Sequence, residues 1–416
     1  MRQFSIQKIK ILSGSLVIIS AMTISACNSG SVTDSSNSVS SGVLNSLASE
    51  SSGWSYVGQA GFSLDSASFQ SMDIAPDGTL YLSYTGKWKS TVMKFNGSAW
   101  EVVGESGFGY GNQTIAIAPI DSPQSGTPYV ASDWSVMKFD GKSWVSVGEP
   151  MSVEGLYPEL VSALAIAPGT GAPYVAYGYG GGVKVMKFNN EDWVNVGDVF
   201  GFDYSDGILP AIIENLVITK DGTPYVAFNA LQDSISKGTL STPVVMKFDG
   251  YNWSLVGSKL ETSQKLGVSM VLDANNTPYV AYIMPRRTKP FPSSETAPEG
   301  LAVKKLNITT NTWEGIGMYK DRWSDLEYPI VTNAEHPSLA RALDGSLYVS
   351  YTDTANGNKV TVMKFNGQIW EKFGAEDFSA GSTEMQKLKI SNNNVPYISF
   401  IDGSQNNKTT VIKFAH

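Results

Sequence analysis

From residue 54 onward the chain alternates short apolar runs with polar clusters centred on Gly, Asn and Asp, and the alternation recurs. The clearest stretch is Val92-Met93-Lys94-Phe95-Asn96-Gly97-Ser98-Ala99-Trp100. It returns from Val136 to Trp144, Val185 to Trp193, Val245 to Trp253, Val303 to Trp313 and Val362 to Trp370, and a seventh copy, Val411-Ile412-Lys413-Phe414, has no tryptophan after it. Each full copy reads as a strand, a tight turn and a second strand opened by Trp, as in Trp100-Glu101-Val102-Val103-Gly104. Asn, Asp and Gly tolerate the positive φ of a two-residue hairpin, so the turn is encoded locally. Two more strand signals precede each copy. One is an apolar run such as 115–118 or 163–167, and the other is Pro-Tyr-Val-Ala-Tyr or a variant of it, starting at Pro128, Pro173, Pro224, Pro278 and Pro396. Their β-branched and aromatic content suits strands, and no segment carries a helical period.

With the strands labelled A (apolar run), B (Pro-Tyr-Val), C (Val-Met-Lys-Phe) and D (Trp-x-x-Val-Gly), each unit is a four-stranded antiparallel meander. Self-similar units of about 44 to 60 residues, repeated seven times, predict an all-β, seven-bladed β-propeller over 54–416. The region begins with a surplus D strand, Trp54 to Gly58, and ends on a C strand lacking its D. The first strand is therefore expected to complete the last blade, which removes an open sheet edge. The repeat resembles bacterial propeller repeats of the Asp-Gly-Thr-Pro-Tyr-Val-Ala-Tyr … Val-Met-Lys-Phe-Asn-Gly-Ser-x-Trp type and, more distantly, NHL repeats. The Asp-Gly turns (77–78, 221–222, 344–345) also resemble the Asp-box of sialidases, with Leu or Pro before Tyr where that family has Trp. The resemblance implies the architecture and names no activity, because propellers host enzymes, lectins and scaffolds alike.

Residues 1–26 read as an export signal. Arg2, Lys8 and Lys10 precede an apolar run of about 14 residues, too short for a membrane span. Ile24-Ser25-Ala26-Cys27 resembles the bacterial lipoprotein box, which implies acylation of Cys27, the only cysteine in the chain. Multiple acyl chains on one residue hold a protein stably on a membrane. By resemblance to the lipoprotein sorting rule, Asn28 rather than Asp implies a cell-envelope location at the outer membrane of a Gram-negative source. Residues 27–53, rich in Ser, Asn and Gly, form a tether with a mean span on the order of 30 Å.

In a meander of this kind the A–B and C–D turns share one face of the disc, and the B–C and D–A loops share the other. The second set holds the long insertions, 198–213, 229–243, 283–300 and 318–337, which marks it as the expected binding face. Seven of the ten tryptophans occupy the repeat position and are expected to pack between blades. The other three, Trp88, Trp134 and Trp323, fall in or beside the variable loops, as do Tyr110, Tyr179, Tyr204, Tyr319 and Tyr328. Aromatic rings there suit stacking on a sugar or anchoring a protein. After the leader only Arg286, Arg287, Arg322 and Arg341 remain, and Arg341 falls in an A strand beside the central channel. Arginines that converge can grip a carboxylate in the manner of sialidases.

Chemistry beyond that is sparse. With two histidines, His336 and His416, and Cys27 assigned to lipid, no metal ligand set or cofactor motif is evident. The net charge of −8 opposes a nucleic-acid partner. The sequence thus predicts a membrane-anchored, non-catalytic module that binds a protein or glycan through its B–C/D–A face. Its alternatives are a lectin and a glycan-processing enzyme using Arg341 with loop carboxylates. The unequal loops of that face predict no set of identical sugar sites.

Overall fold

The computed structural model describes residues 53–111, 113–132, 135–151, 163–179, 182–201, 208–234, 238–288, 296–297, 299–320, 326–376 and 378–414. They belong to a compact unit spanning Glu50–His416. Seven four-stranded antiparallel sheets make up a seven-bladed β-propeller. Blade 1 is typical, with A Phe69–Ile74, B Leu80–Gly86, C Lys89–Phe95 and D Trp100–Val102. Among the described residues the only helical turns are two short 3-10 segments, Thr354–Asn356 and Gly403–Gln405.

The ring closes as the strand count requires. Trp54–Tyr56 pairs antiparallel with Lys408–Phe414, Trp54 opposite Phe414 and Tyr56 opposite Ile412, and so supplies strand D of blade 7.

The motif Trp-x-x-Val-Gly explains how neighbouring blades lock together. Each repeat tryptophan donates its indole N–H to a backbone carbonyl at the end of the preceding blade's D strand. Trp100 reaches Val57 at 2.7 Å, Trp144 reaches Val103 at 2.8 Å, Trp370 reaches Ile316 at 2.8 Å and Trp54 reaches Phe373 at 3.4 Å. The glycine that ends each motif lies directly beneath the next blade's indole. A Cβ on Gly104 would come within 3.1 Å of Trp144, and Gly374 would meet Trp54 at 2.4 Å, both at positive φ. Only glycine satisfies the backbone angle and the close approach together. Phe62 and Phe108, from the D–A loops, stack on Trp100 and Trp144 with ring centroids 4.1 and 4.5 Å apart.

The C–D turns are longer than a two-residue hairpin. Phe95 pairs with Trp100 across four residues, and the Asn96 side chain accepts from the N–H groups of Ser98 (3.0 Å) and Ala99 (2.9 Å). Asp140 repeats this with Lys142 and Ser143, both at 2.8 Å. Gly97, at φ 99, turns the chain inside this Asx-capped loop.

The apolar core lies between blades. Val92 and Val103 of blade 1 pack with Ile115, Ile117, Val130 and Trp144 of blade 2. Two segments read as insertions are strand instead. Residues 229–234 and 238–243 continue the B and C strands of blade 4, Pro224–Ser234 and Gly238–Phe248, in unbroken register from Tyr225–Lys247 to Ser234–Gly238. Residues 208–213 likewise lengthen strand A, Ile208–Ile218. Residues 283–300 contain a small hairpin pairing Arg287–Thr288 with Thr296–Ala297. Alternating polar and apolar residues can extend a hairpin as readily as they can form a loop, so composition alone did not separate the two outcomes.

Candidate functional site

The A strands of all seven blades surround a central cavity of about 530 Å³. Each A strand is the inner edge of its sheet, so alternate backbone N–H groups have no strand partner and need another acceptor. Side chains of the preceding blade supply it at several junctions. Ile115 N–H donates to Ser71 Oγ (3.3 Å), Met270 to Asn215 Oδ1 (2.9 Å), Leu339 to Ser269 Oγ (2.9 Å) and Leu388 to Ser338 Oγ (3.0 Å). These acceptors occupy one repeat position, opposite residues such as Ser83 and Ser350 of strand B. In blade 7 that position is Lys387, which can only donate.

Arg341 breaks the repeat in a second way. It is the last residue of strand A in blade 6 (Ala334–Arg341), opposite Leu347. The same register position is Ile74, Ile117, Ile166, Ile218, Leu272 and Ile390 in the other blades. Arg341 is half-buried and lines the cavity at its A–B turn end. Three more charged residues line the same space. Lys389 bonds Asp73 at 2.9 Å, whereas Glu214, carried on a β-bulge between Ile213 and Asn215, has no hydrogen-bonding or ionic partner among the described residues.

A third departure lies in blade 5, where Lys304 replaces the methionine of Val-Met-Lys-Phe. Its buried ammonium contacts Glu261 at 3.0 Å and Glu327 at 2.9 Å, and these carboxylates come from the two D–A loops flanking the blade. The buried Tyr282 hydroxyl donates to Glu261, and Gly315 N–H donates to Glu327 at 2.9 Å. Burial acts to raise the Glu261 pKa, but the Lys304 ammonium and the Tyr282 hydrogen bond outweigh it and hold the carboxyl below its ordinary value. Sequence reasoning missed this cluster, although the broken repeat residue was visible.

The residues singled out in the sequence do not converge on one site. Trp88 is 77% exposed, at the tip of the B–C turn of blade 1 and at φ 68. Tyr110, 64% exposed in the following D–A loop, lies against the same turn, because Gly111 N–H donates to Trp88 O (3.2 Å) and Lys89 bridges Tyr110. Neither ring has an aromatic or hydrogen-bonding partner among the described residues. Arg286 is exposed on the same face, whereas Arg341 belongs to the cavity end nearest the opposite face. Cys27, Trp134, Tyr204, Arg322 and Trp323 lie outside the described residues, as does the side chain of Arg287. The Tyr319 ring lies tilted against Tyr328 with centroids 5.7 Å apart, so that pair packs its own loop.

On the A–B/C–D face, clefts of one construction recur between blades. At the junction of blades 3 and 4, Tyr174 and Lys187 face the Asp221-Gly222-Thr223 turn in a cleft of about 690 Å³. Equivalent clefts of about 370, 330 and 430 Å³ contain Tyr397 with Lys413, Tyr225 with Lys247, and Tyr279 with Lys305. The lysine ammonium lies over the tyrosine ring at 5.4 Å in the first and 5.2 Å in the last. The expectation of no repeated sites therefore concerns only the loop face, since these clefts are made by the repeat itself. Among the described residues no cluster of three or more His, Cys, Asp or Glu side chains is placed to hold a metal.

No family model matches the sequence, and no curated protein matches it. Similarity to solved structures is one of fold. A polysaccharide lyase, Uly1, superposes with a TM-score of 0.51 at 9% identity, over 85% of this chain and 90% of that one. A protein of unknown function from Dyadobacter fermentans follows at a TM-score of 0.48 and 11% identity, over 87% and 98% of the two chains.

Proposed function

We propose that this chain is an exported, Cys27-anchored glycan-binding propeller that meets its ligand with the Trp88 and Tyr110 rings on the B–C/D–A face. The observation that carries the reading is that two large aromatic side chains stand exposed on adjoining loops of one face, neither with an aromatic or hydrogen-bonding partner among the described residues. A tryptophan held at positive φ and left in water gains nothing for the core, and such outliers are retained where a function uses them. The C–H faces of a sugar ring pack on aromatic faces, while its hydroxyls stay hydrated at the rim. The sequence puts Trp134 in the corresponding turn of blade 2, between the paired Ser132 and Ser135. That the fold is shared with a polysaccharide lyase is compatible with a glycan ligand and adds architecture only. Gly53 and Phe414 lie at the opposite, A–B/C–D face of the disc.

A glycan-array screen of the purified protein beside a Trp88→Ala/Tyr110→Ala variant tests the proposal. Binding by the parent and its loss in a variant of unchanged melting temperature is the expected result. A correctly folded parent that binds no glycan would sink it, and a protein partner captured through Trp88 would replace it. The recurring tyrosine–lysine clefts favour a second reading, in which several equivalent sites lie between blades. Calorimetric stoichiometry separates the two, one ligand per chain for the aromatic tips and several for the clefts. Anchoring is tested by labelling with palmitate, which Cys27→Ser must abolish.

A further inference from the structure

We infer that the cleft between blades 3 and 4, on the A–B/C–D face, holds one neutral sugar residue of a glycan between Tyr251 and Val194. In every blade a tyrosine of strand B lies directly opposite a lysine of strand C. A residue of strand D continues the row on the same face of the sheet. In blade 3 the row is Tyr174, Lys187 and Val194. The third member is Glu101, Glu314 and Glu371 in blades 1, 5 and 6, and Ser254 and Ser55 in blades 4 and 7. In blade 1 that glutamate neutralises the lysine, with Lys94 Nζ 3.2 Å from Glu101. Lys187 lies over the Tyr174 ring at 5.4 Å and has no carboxylate partner among the described residues.

The opposite wall leaves the repeat as well. The third residue of the C–D turn is Ser98, Lys142, Glu191 and Gln368 in blades 1, 2, 3 and 6, and in blade 4 it is Tyr251. Tyr251 is 86% exposed and Val194 39% exposed, and both line the same space. Single apolar residues are ordinary on a protein surface, but two that depart from the repeat and border one cleft from different blades make an apolar pair. Blade 2 also has a valine in its row, Val145, but the next blade's turn carries Glu191 in place of an aromatic ring. In the cleft between blades 4 and 5 the row ends in Ser254 and the turn presents Ile308. The volume differs too, about 690 Å³ here against about 330 to 430 Å³ in the other three clefts.

Direct contacts fix the two walls relative to each other. Trp253, two residues after Tyr251, donates its indole N–H at 2.7 Å to the carbonyl of Val196, two residues after Val194. A Cβ on Gly197 would come within 2.7 Å of Phe248, so the strand carrying Val194 abuts the base of the turn carrying Tyr251. Asp249 holds the turn itself, accepting from the Tyr251 and Asn252 N–H groups at 2.8 Å. The A–B turn on the third side is braced by Thr219, which accepts from Thr223 N–H at 2.9 Å and donates its hydroxyl to Asp221. A site shaped before its ligand arrives loses less entropy on binding. Around the apolar pair stand an ammonium donor on Lys187, a carboxylate acceptor on Asp221 and the Asn195 amide, which does both. The Asp221 and Asp249 carboxylates disfavour an anion and the Lys187 ammonium disfavours a cation, which leaves a neutral ligand rich in hydroxyls. A sugar ring matches, with its C–H face on the tyrosine and its hydroxyls on the polar groups.

The inference takes its ligand class from the glycan reading above but assigns a different face, and it singles out one cleft from the recurring set. The test therefore starts from purified Trp88→Ala/Tyr110→Ala protein, in which the loop-face rings are gone. The probe is an array of neutral oligosaccharides printed beside uronate- and sulfate-bearing ones, followed by calorimetry with the best-bound oligosaccharide. Binding to neutral glycans, with one ligand per chain, is expected. Adding Tyr251→Ser or Val194→Glu, residues that the repeat uses in blade 1, should weaken it at least tenfold and leave the melting temperature unchanged. A parent that binds while the starting variant does not keeps the aromatic tips and removes the cleft. Silence of both removes the glycan reading altogether. Undiminished affinity in both cleft variants, a preference for acidic glycans, or several ligands per chain would each overturn the inference.

Discussion

Replacing Lys304 with the methionine that the repeat would place there should destabilise the protein, although it makes the blade more regular. The buried ammonium holds Glu261 and Glu327 at 3.0 and 2.9 Å, and the two carboxylates keep side-chain exposures of only 26% and 19%. Without it, two like charges converge on an apolar thioether. Removing one partner of a buried ionic group costs about 3 kcal/mol at the lower end of measured values, which suits carboxylates with some solvent access. A propeller of roughly 360 residues unfolds with an entropy of about 0.76 kcal/mol/K, so the melting temperature should fall by about 4 °C at pH 7. The pH dependence follows from the direction of the Glu261 shift. Its depressed folded-state pKa contributes stability above the unfolded value, lost as pH falls through the folded one. In Lys304→Met the Glu261 carboxyl keeps its burial, which raises its pKa, and loses the ammonium that opposed it, so protonation relieves the variant. The gap between parent and variant should therefore close between about pH 7 and pH 4. Adding Glu261→Gln and Glu327→Gln to the methionine variant should recover most of the loss. Calorimetric melting at the two pH values reads both effects. A variant as stable as the parent at pH 7, or a gap that widens in acid, would refute the reasoning.

Three other outcomes follow from features of the ring. Trp144→Phe keeps an aromatic ring against Phe108 but leaves the buried Val103 carbonyl without its 2.8 Å donor, and should cost about 1–3 kcal/mol in urea unfolding. Gly104→Ala should cost more than an ordinary glycine substitution, because its Cβ would meet the Trp144 ring at 3.1 Å and its φ is 70. Asp140 and Asp249 accept backbone N–H bonds that lower their pKa values, so they stabilise their turns above the unfolded carboxyl pKa and cease to do so as pH falls through the folded values. Asp140→Asn with Asp249→Asn should be neutral at pH 7 and flatten the acid limb of the melting curve, since Asn96 already caps the same turn in blade 1.

The architecture was legible because every blade repeats the cues that build it. Trp-x-x-Val-Gly states an inter-blade hydrogen bond and the glycine that admits it, and the surplus strand at Trp54 states the closure. What the sequence concealed is contact between distant residues. Lys304 was visible as a departure from the repeat, but its carboxylates stand in two different loops, and nothing local links them. Arg341 was placed beside the channel, yet its end of the channel followed only from the register with Leu347. Loop length was a misleading guide in blade 4, where residues 229–234 and 238–243 continue as paired strand.

Closure of the ring through Trp54 and Phe414 also sets a clock. Blades 1 to 6 are built from consecutive segments, so each can form soon after its own residues become available. Blade 7 cannot, because its outer strand is made first and its other three are made last. On an open chain, uniting ends about 360 residues apart carries a logarithmic entropy cost of about 5 kcal/mol, which the stacked blades largely remove by bringing those ends together beforehand. The final pairing is therefore cheap once six blades stand and unfavourable before. A chain delivered N-terminus first keeps one unpaired edge waiting throughout its delivery, and the same strand that seals the mature disc is its most aggregation-prone element until the last residues arrive.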